Sequence, residues 1–230
     1  MRGLTLVLLA LAVGGCATSS AELERVPSRS QIENFNRLEI ADTAGIPQLI
    51  SLAVDLIKHF EDWKAAAYDD PAGYCTIGYG HLISKLACKD ILLGRFSEPL
   101  SEAEGATLLE EDTASARSDV DRLVAVDLSD EQFGALSSFV FNVGATRFST
   151  STLLSRVNDG KFDLAADEFG RWVKAGGEIK NGLVARRACE ESLFRSQLTY
   201  NRFGRFDRAR CVSLGIAKDV GSLIDIDVGE

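Results

Sequence analysis

Three side chains suited to acid–base chemistry lie close together in this chain: Glu61, Asp70 and Thr76. Glu61 closes an apolar run in which Leu49, Ala53, Leu56, Ile57 and Phe60 recur at spacings of three and four, the period of a helix. Pro47 suits the first turn of that helix. Asp70 falls in Asp69-Asp70-Pro71-Ala72-Gly73, a turn by composition. Thr76 opens the glycine-punctuated stretch Thr76-Ile77-Gly78-Tyr79-Gly80-His81. Cleavage of a glycosidic bond needs one carboxyl that carries a proton to the leaving oxygen and another that stays ionised. A carboxyl at the end of a helix that buries its apolar face is partly desolvated, which suits the acid. A turn aspartate beside free backbone donors suits the base, and a hydroxyl close by can hold the attacking water. Gly78 and Gly80 would let the strand bend or a sugar approach the backbone.

These residues sit in a longer pattern. Glu61-x8-Asp70-x5-Thr76, with Ala67-Tyr68 before Asp70 and Gly78-Tyr79-Gly80-His81 after it, resembles the catalytic segment of the phage-type lysozymes, or endolysins. These are muramidases of glycoside hydrolase family 24. Downstream, residues 135–144 resemble that family's central core helix, and Ser151-Thr152-Leu153-Leu154 the start of its next one. Phe169-x2-Trp172, Gly176-Gly177 and Gly182-Leu183-x2-Arg186-Arg187-x2-Glu190 resemble its closing segments. The resemblance covers about residues 48–198. It implies Glu61 as general acid, Asp70 as second carboxylate, Thr76 as the residue positioning water, and Arg186 as the arginine that orients the glutamate. It also implies an inverting, single-displacement hydrolysis of the β-1,4 bond between N-acetylmuramic acid and N-acetylglucosamine, with peptidoglycan glycan strands as partner and no cofactor. A lytic transglycosylase or a non-catalytic peptidoglycan-binding lipoprotein is the alternative, and the intact triad argues against both.

Several neighbours invite other readings. Asp62 and Asp69 flank the proposed pair, and only the family register selects Asp70. His59 and His81 are the only histidines, and with Cys75 and Cys88 they form no zinc-like spacing, so no metal is expected. His81 is expected to close the hairpin by hydrogen bonding, with Tyr79 beside it as a supporting residue. Phe139, Phe141, Phe169 and Trp172 could stack on sugars, but their helical spacing favours the core, most clearly for Phe139 and Trp172. Asn142, polar within an apolar run, either caps a backbone group or reaches substrate.

The elements that must position these groups are mostly helical. Ser101-x2-Glu104 and Ser129-x2-Gln132 read as capping boxes, Gly160 and Gly176 as helix stops, and only residues 67–84 as β. The expected fold is α+β and lysozyme-like: a small hairpin lobe and a larger helical lobe around a glycan cleft, over residues 46–200. A chain of 230 residues is long enough for one domain with a sizeable core, and a monomer is expected.

The ends point to the cell envelope. Residues 1–15 combine Arg2 with a short apolar run, too short for a membrane span, and end in Val13-Gly14-Gly15-Cys16, which resembles a lipobox. Lipidation at Cys16, with Ala17 following, implies an outer-membrane lipoprotein facing the periplasm. An inner-membrane signal-anchor later released to the periplasm, or plain secretion, is the other reading. Residues 16–45 read as a polar tether. Residues 201–230 form a tail with no assigned role, in which residues 224–228 alternate like a strand without an obvious partner. Four cysteines remain after Cys16, the right number for two disulfides in an exported protein. Proximity favours Cys75–Cys88 and Cys189–Cys211 among three connectivities. Cys75 adjoins Thr76 but should point to the opposite face of its strand, which favours a structural role over redox control. The net charge of −9 speaks against a nucleic-acid partner and gives no attraction to an anionic wall.

Overall fold

The computed structural model describes residues 45–211 and 223–230. The expected signal peptide, Cys16 and nearly all of the tether lie outside the described residues, as does 212–222 of the tail. Among the described residues, no helix is long and apolar enough to cross a membrane.

The first helix, α1 (Ser51–Phe60), buries Ala53, Leu56 and Ile57, and Glu61 is its C-cap, donating its backbone N–H to Ile57 O at 3.1 Å. Pro47 lies ahead of this helix and not in its first turn. The segment before Ser51 is extended at Ile50, and the Pro47 carbonyl accepts from Arg117 Nη1 at 3.1 Å. A three-stranded antiparallel sheet follows, in the order β1 (Lys64–Asp69), β2 (Cys75–Gly78), β3 (His81–Ser84). Its central strand is buried throughout. Gly78 and Gly80 take positive φ, +68° and +89°, at the β2–β3 turn, where a side chain would be strained. Here the glycines shape the turn.

Helix α2 (Glu102–Leu123), about 33 Å long, runs from this sheet into the helical lobe. Ser101 and Glu104 cap it reciprocally, as the capping-box pattern predicts. At its first turn Gly105 admits the Trp63 indole: a Cβ there would stand 2.1 Å from the ring. At its far end, Asn158 donates to Leu123 O and accepts from Ala125 N.

The helical lobe is built around α3 (Asp130–Val143), capped by Ser129 and Gln132. Apolar and small residues surround this helix, which marks a fully buried one. Phe133, Ala135, Leu136, Phe139, Val140 and Val143 supply the core, and Gly134 lets Ala53 of α1 approach closely. Three short helices wrap it: α4 (Ala145–Ser149), α5 (Thr152–Asn158) and α6 (Phe162–Glu168). Ser151 caps α5 through Leu154 N at 3.0 Å, and Gly160 ends it at φ +70°. Phe139, Phe169 and Trp172 are fully buried and pack edge-to-face around Phe139, so they are core and not a sugar platform; Phe141 is partly buried against the same core.

Gly176 does not stop a helix. With Gly177 it turns a small hairpin of β4 (Lys174–Ala175) and β5 (Glu178–Ile179), whose two central residues need positive φ. The last helix, α7 (Asn181–Phe194), packs along α3. Two disulfides, Cys75–Cys88 and Cys189–Cys211, join the cysteine pairs that lie nearest in sequence.

The strand-like end of the tail finds a partner. Asp225 bridges Lys174 in parallel, and Ile224 and Ile226 exchange backbone bonds with Arg171 and Lys174. The carboxylates of Asp225 and Asp227 accept from Gly177 N and Gly176 N. Glu230 binds Arg171 and Thr152, and Arg147 holds Asp227 O. Residues 223–230 are thus a strap across the β4–β5 hairpin.

Candidate active site

Glu61 stands where α1 ends, its side chain about a quarter exposed. Its Oε1 accepts from Arg186 Nη1 at 2.5 Å. Arg186, on α7, is itself buried and held from behind: its Nε donates to Glu190 Oε1 at 3.1 Å, its Nη2 to Ser138 O at 3.3 Å. Glu190 has no exposure. It also accepts from Ser138 Oγ at 2.7 Å and lies 2.8 Å from Arg187 Nε, an ion pair off the line of a hydrogen bond. Arg187 is fully buried over the Phe139 ring, and burial depresses its guanidinium to about 10, against the pull of Glu190. The α3–α7 interface therefore carries a charged network whose outermost member grips Glu61.

Asp70 sits in the β1–β2 turn. Its Oδ1 accepts from Ala72 N and Tyr74 N, both at 2.8 Å, and its own N–H donates to Tyr74 O at 2.9 Å. The turn thus orients the carboxylate and leaves Oδ2 without a protein partner among the described residues. Thr76 is 5% exposed and donates its hydroxyl to the same Tyr74 carbonyl at 3.2 Å. With its proton committed, the Thr76 oxygen can only accept.

Tyr68 ties these parts together. It pairs with Thr76 across β1–β2, so their side chains share a face of the sheet. Its phenol is pushed above its ordinary value by burial first, and then by the charges of Asp70, Asp62 and Glu61. Tyr68 and Thr76 thus share one face of the small sheet, and the Tyr68 phenol feels the charges of both carboxylates. Tyr68 was visible in sequence beside Asp70, yet nothing in its type or spacing marks that role. Ser138 and Glu190, the supports of Arg186, fall within segments that resemble the family, but nothing in their type or spacing marks them as its partners.

The supporting residues divide. His81 pairs with Ile77 at the β2–β3 turn through its backbone, while its side chain serves elsewhere: Nδ1 pairs with Asp112 of α2 at 2.9 Å, pinning the sheet to the long helix. Tyr79 is buried with Ile57 and Leu109 and meets the Trp63 ring at a tilt, centroids 4.8 Å apart, a packing role between sheet and helices. Half-buried Asn142 makes no backbone cap among the described residues; its Oδ1 accepts from Arg187 Nη2 at 2.8 Å and so joins the buried network. Asp69 Oδ1 accepts from Cys88 N at 2.6 Å. Asp69, Cys75 and Cys88 cluster closely enough to suggest a metal, but both sulfurs are in the disulfide and no longer available as thiolate ligands.

This arrangement has relatives. Residues 58–190 match the phage lysozyme family. The chain belongs to that family. It is 41% identical over 143 residues to an endolysin of Bacillus phage B103, a match covering 61% of this chain. It spans about half the length of the first curated relatives it matches, 51% of that endolysin and 55% of a second Bacillus phage endolysin. Among solved structures, the muramidase domain of SpmX from Asticaccaulis excentricus is 33% identical with a TM-score of 0.55, covering 64% of this chain and 97% of that one. The endolysin of Escherichia coli O157:H7 phage FAHEc1 is 28% identical with a TM-score of 0.58, covering 68% and 99%. The fold is thus the lysozyme-like α+β architecture, and nearly all of each neighbour is contained in this family member.

Proposed function

We propose that this chain is a peptidoglycan hydrolase that cleaves the β-1,4 bond between N-acetylmuramic acid and N-acetylglucosamine. The observation that carries the reading is the Glu61–Arg186 pair at the end of α1, together with Asp70 held by its turn and Thr76 following it on β2. Glu61, fixed in direction by Arg186, gives its proton to the glycosidic oxygen as the C1–O bond breaks. A water that donates one hydrogen bond to Thr76 Oγ1 and one to Asp70 Oδ2 turns a lone pair toward C1. It attacks from the face opposite the leaving group, and its proton passes to Asp70. The bond forms on the side away from the bond that breaks, so the anomeric centre inverts. Solvent then returns the proton from Asp70 to Glu61.

The test is product analysis. The full chain is incubated with purified peptidoglycan, alongside Glu61→Gln, and the products are read by mass spectrometry. Reducing muramic ends from the parent alone are expected, with Glu61→Gln slower by about 10²–10⁴-fold. Anhydro-muramic ends would make the enzyme a lytic transglycosylase and remove water from the scheme.

The same reading places the protein in the envelope, through lipidation at Cys16 or a releasable signal-anchor. What supports it is the sequence of residues 1–16 and a substrate that lies outside the cytoplasm. Palmitate labelling in cells separates the two: label lost on Cys16→Ser is expected, and label absent from the parent ends the lipoprotein assignment.

A further inference from the structure

The loop from Asn201 to Arg210 lies beyond the family match and departs from the rest of the chain in charge. It carries four arginines, at 202, 205, 208 and 210, against one aspartate, in a protein of net charge −9. All four arginines are exposed. The loop is also built to hold one shape. The Asn201 side chain accepts from Phe203 N and Arg205 N at 2.9 and 3.1 Å, and Gly204 turns the chain at φ +69°. Tyr200 donates to Asp55 of α1 at 3.0 Å, Phe206 packs on His59, and the Cys189–Cys211 bond closes the far end.

The rigid scaffold presents Phe203 outward. Its ring is 70% exposed, with Arg202 stacked on it at 4.7 Å. Phe206, three residues on, is instead partly buried against the core. Beside the tip, Gly204, Arg205 and Phe206 form one wall of an open concavity of about 340 Å³, with Asp55, Lys58 and His59 of α1 on the other. An apolar tip between guanidiniums, next to a hollow where Lys58 and Arg205 outnumber Asp55, matches a surface with anionic phosphate heads above an apolar layer. A soluble polyanion would match the arginines but give the exposed ring nothing to enter.

We propose that residues 201–210 dock this protein onto an anionic phospholipid surface, with Phe203 entering the headgroup boundary and Arg202 and Arg205 pairing with lipid phosphates. The proposal is independent of the hydrolase reading, because none of these residues belongs to the site at Glu61.

The experiment uses the full chain with Phe203→Trp and vesicles whose lipids carry brominated acyl chains. Vesicles of phosphatidylcholine alone are compared with mixed phosphatidylglycerol–phosphatidylcholine ones, so that any contribution of the N-terminal apolar run appears in both. Emission from the new indole is expected to be quenched only on the mixed vesicles. Adding Arg202→Ala and Arg205→Ala should weaken that partitioning roughly 30-fold. Thermal melting checks that each variant is folded, and the parent protein supplies the signal of Trp63 and Trp172. No quenching on the mixed vesicles, or equal quenching on phosphatidylcholine, overturns the proposal. So does binding of soluble polyphosphate without vesicle quenching, which would give the loop to a polymer.

Discussion

At the scale of single residues, the two turn acids divide by the face of the sheet they occupy. Asp69 and Asp70 are adjacent and chemically alike, and each keeps one oxygen without a partner among the described residues. Asp69, however, pairs with Cys75 across β1–β2 and so lies on the face opposite Tyr68 and Thr76. Asparagine at either position retains a carbonyl oxygen for the backbone donors, so the turn survives and only the charge is lost. Asp70→Asn should therefore abolish most hydrolysis and Asp69→Asn should leave it largely intact, measured as release of reducing ends from peptidoglycan. Equal losses would show that the register is wrong. Glu190 poses a different case. Two arginines and a serine converge on a carboxylate with no exposure, so Glu190→Gln leaves two buried cations facing a neutral amide. Removing one partner of such a network costs about 3–5 kcal/mol, which urea denaturation would read directly; a change within experimental scatter would mean the arginines find other partners. Glu61, Asp70 and Thr76 were singled out because a motif preserves their spacing along the chain. The contacts of Ser138, Asn142 and Tyr68 were not legible, because they depend on which atoms face them across the α3–α7 interface and the β1–β2 pair.

At the scale of elements, local chemistry was the readable part. Both serine capping boxes and the Gly160 stop follow from orphan backbone groups at helix ends, which a few adjacent residues satisfy. Gly176 was misread because a glycine needing positive φ serves a hairpin turn as well as a helix end; only the pairing of Lys174 with Ile179 decides between them. The strap at residues 223–230 had no legible partner for the same reason: its hydrogen bonds go to a hairpin about fifty residues earlier. That strap should respond to acid. The backbone N–H of Asp227, then that of Gly177, hold the Asp225 carboxyl below its usual value of 3.8, with Lys174 assisting. A carboxyl whose value falls on folding stabilises the folded form above its unfolded value, and the contribution disappears as pH drops through the folded one. Protection of the Gly177 amide against hydrogen exchange should hold from neutral pH to about 4 and decline below it. In Asp225→Asn it should be lower and independent of pH over that range. Unchanged protection of the parent at pH 3 would mean that Asp225 does not govern the strap.

At the scale of the whole molecule, charge is distributed against the average. The chain carries 34 acidic and 25 basic side chains, yet five basic ones gather in the arginine loop and at Lys58 on the facing end of α1. The acidic remainder repels an anionic wall, and repulsion between exposed charges is screened within about 10 Å at 0.1 M salt. The arginine loop is attracted to phospholipid over the same distance and loses that attraction under the same screening. The two encounters therefore depend on salt with opposite signs. Raising salt from about 10 mM to about 0.1 M, a Debye length falling from about 30 Å to about 10 Å, should leave the rate of peptidoglycan hydrolysis by the full chain unchanged or raise it. Over the same interval, partitioning onto phosphatidylglycerol vesicles should weaken. A steep fall of hydrolysis with salt would mean that the cleft, and not the loop, presents the protein's positive field to its substrate. A single sign for both curves would mean that one surface serves both encounters.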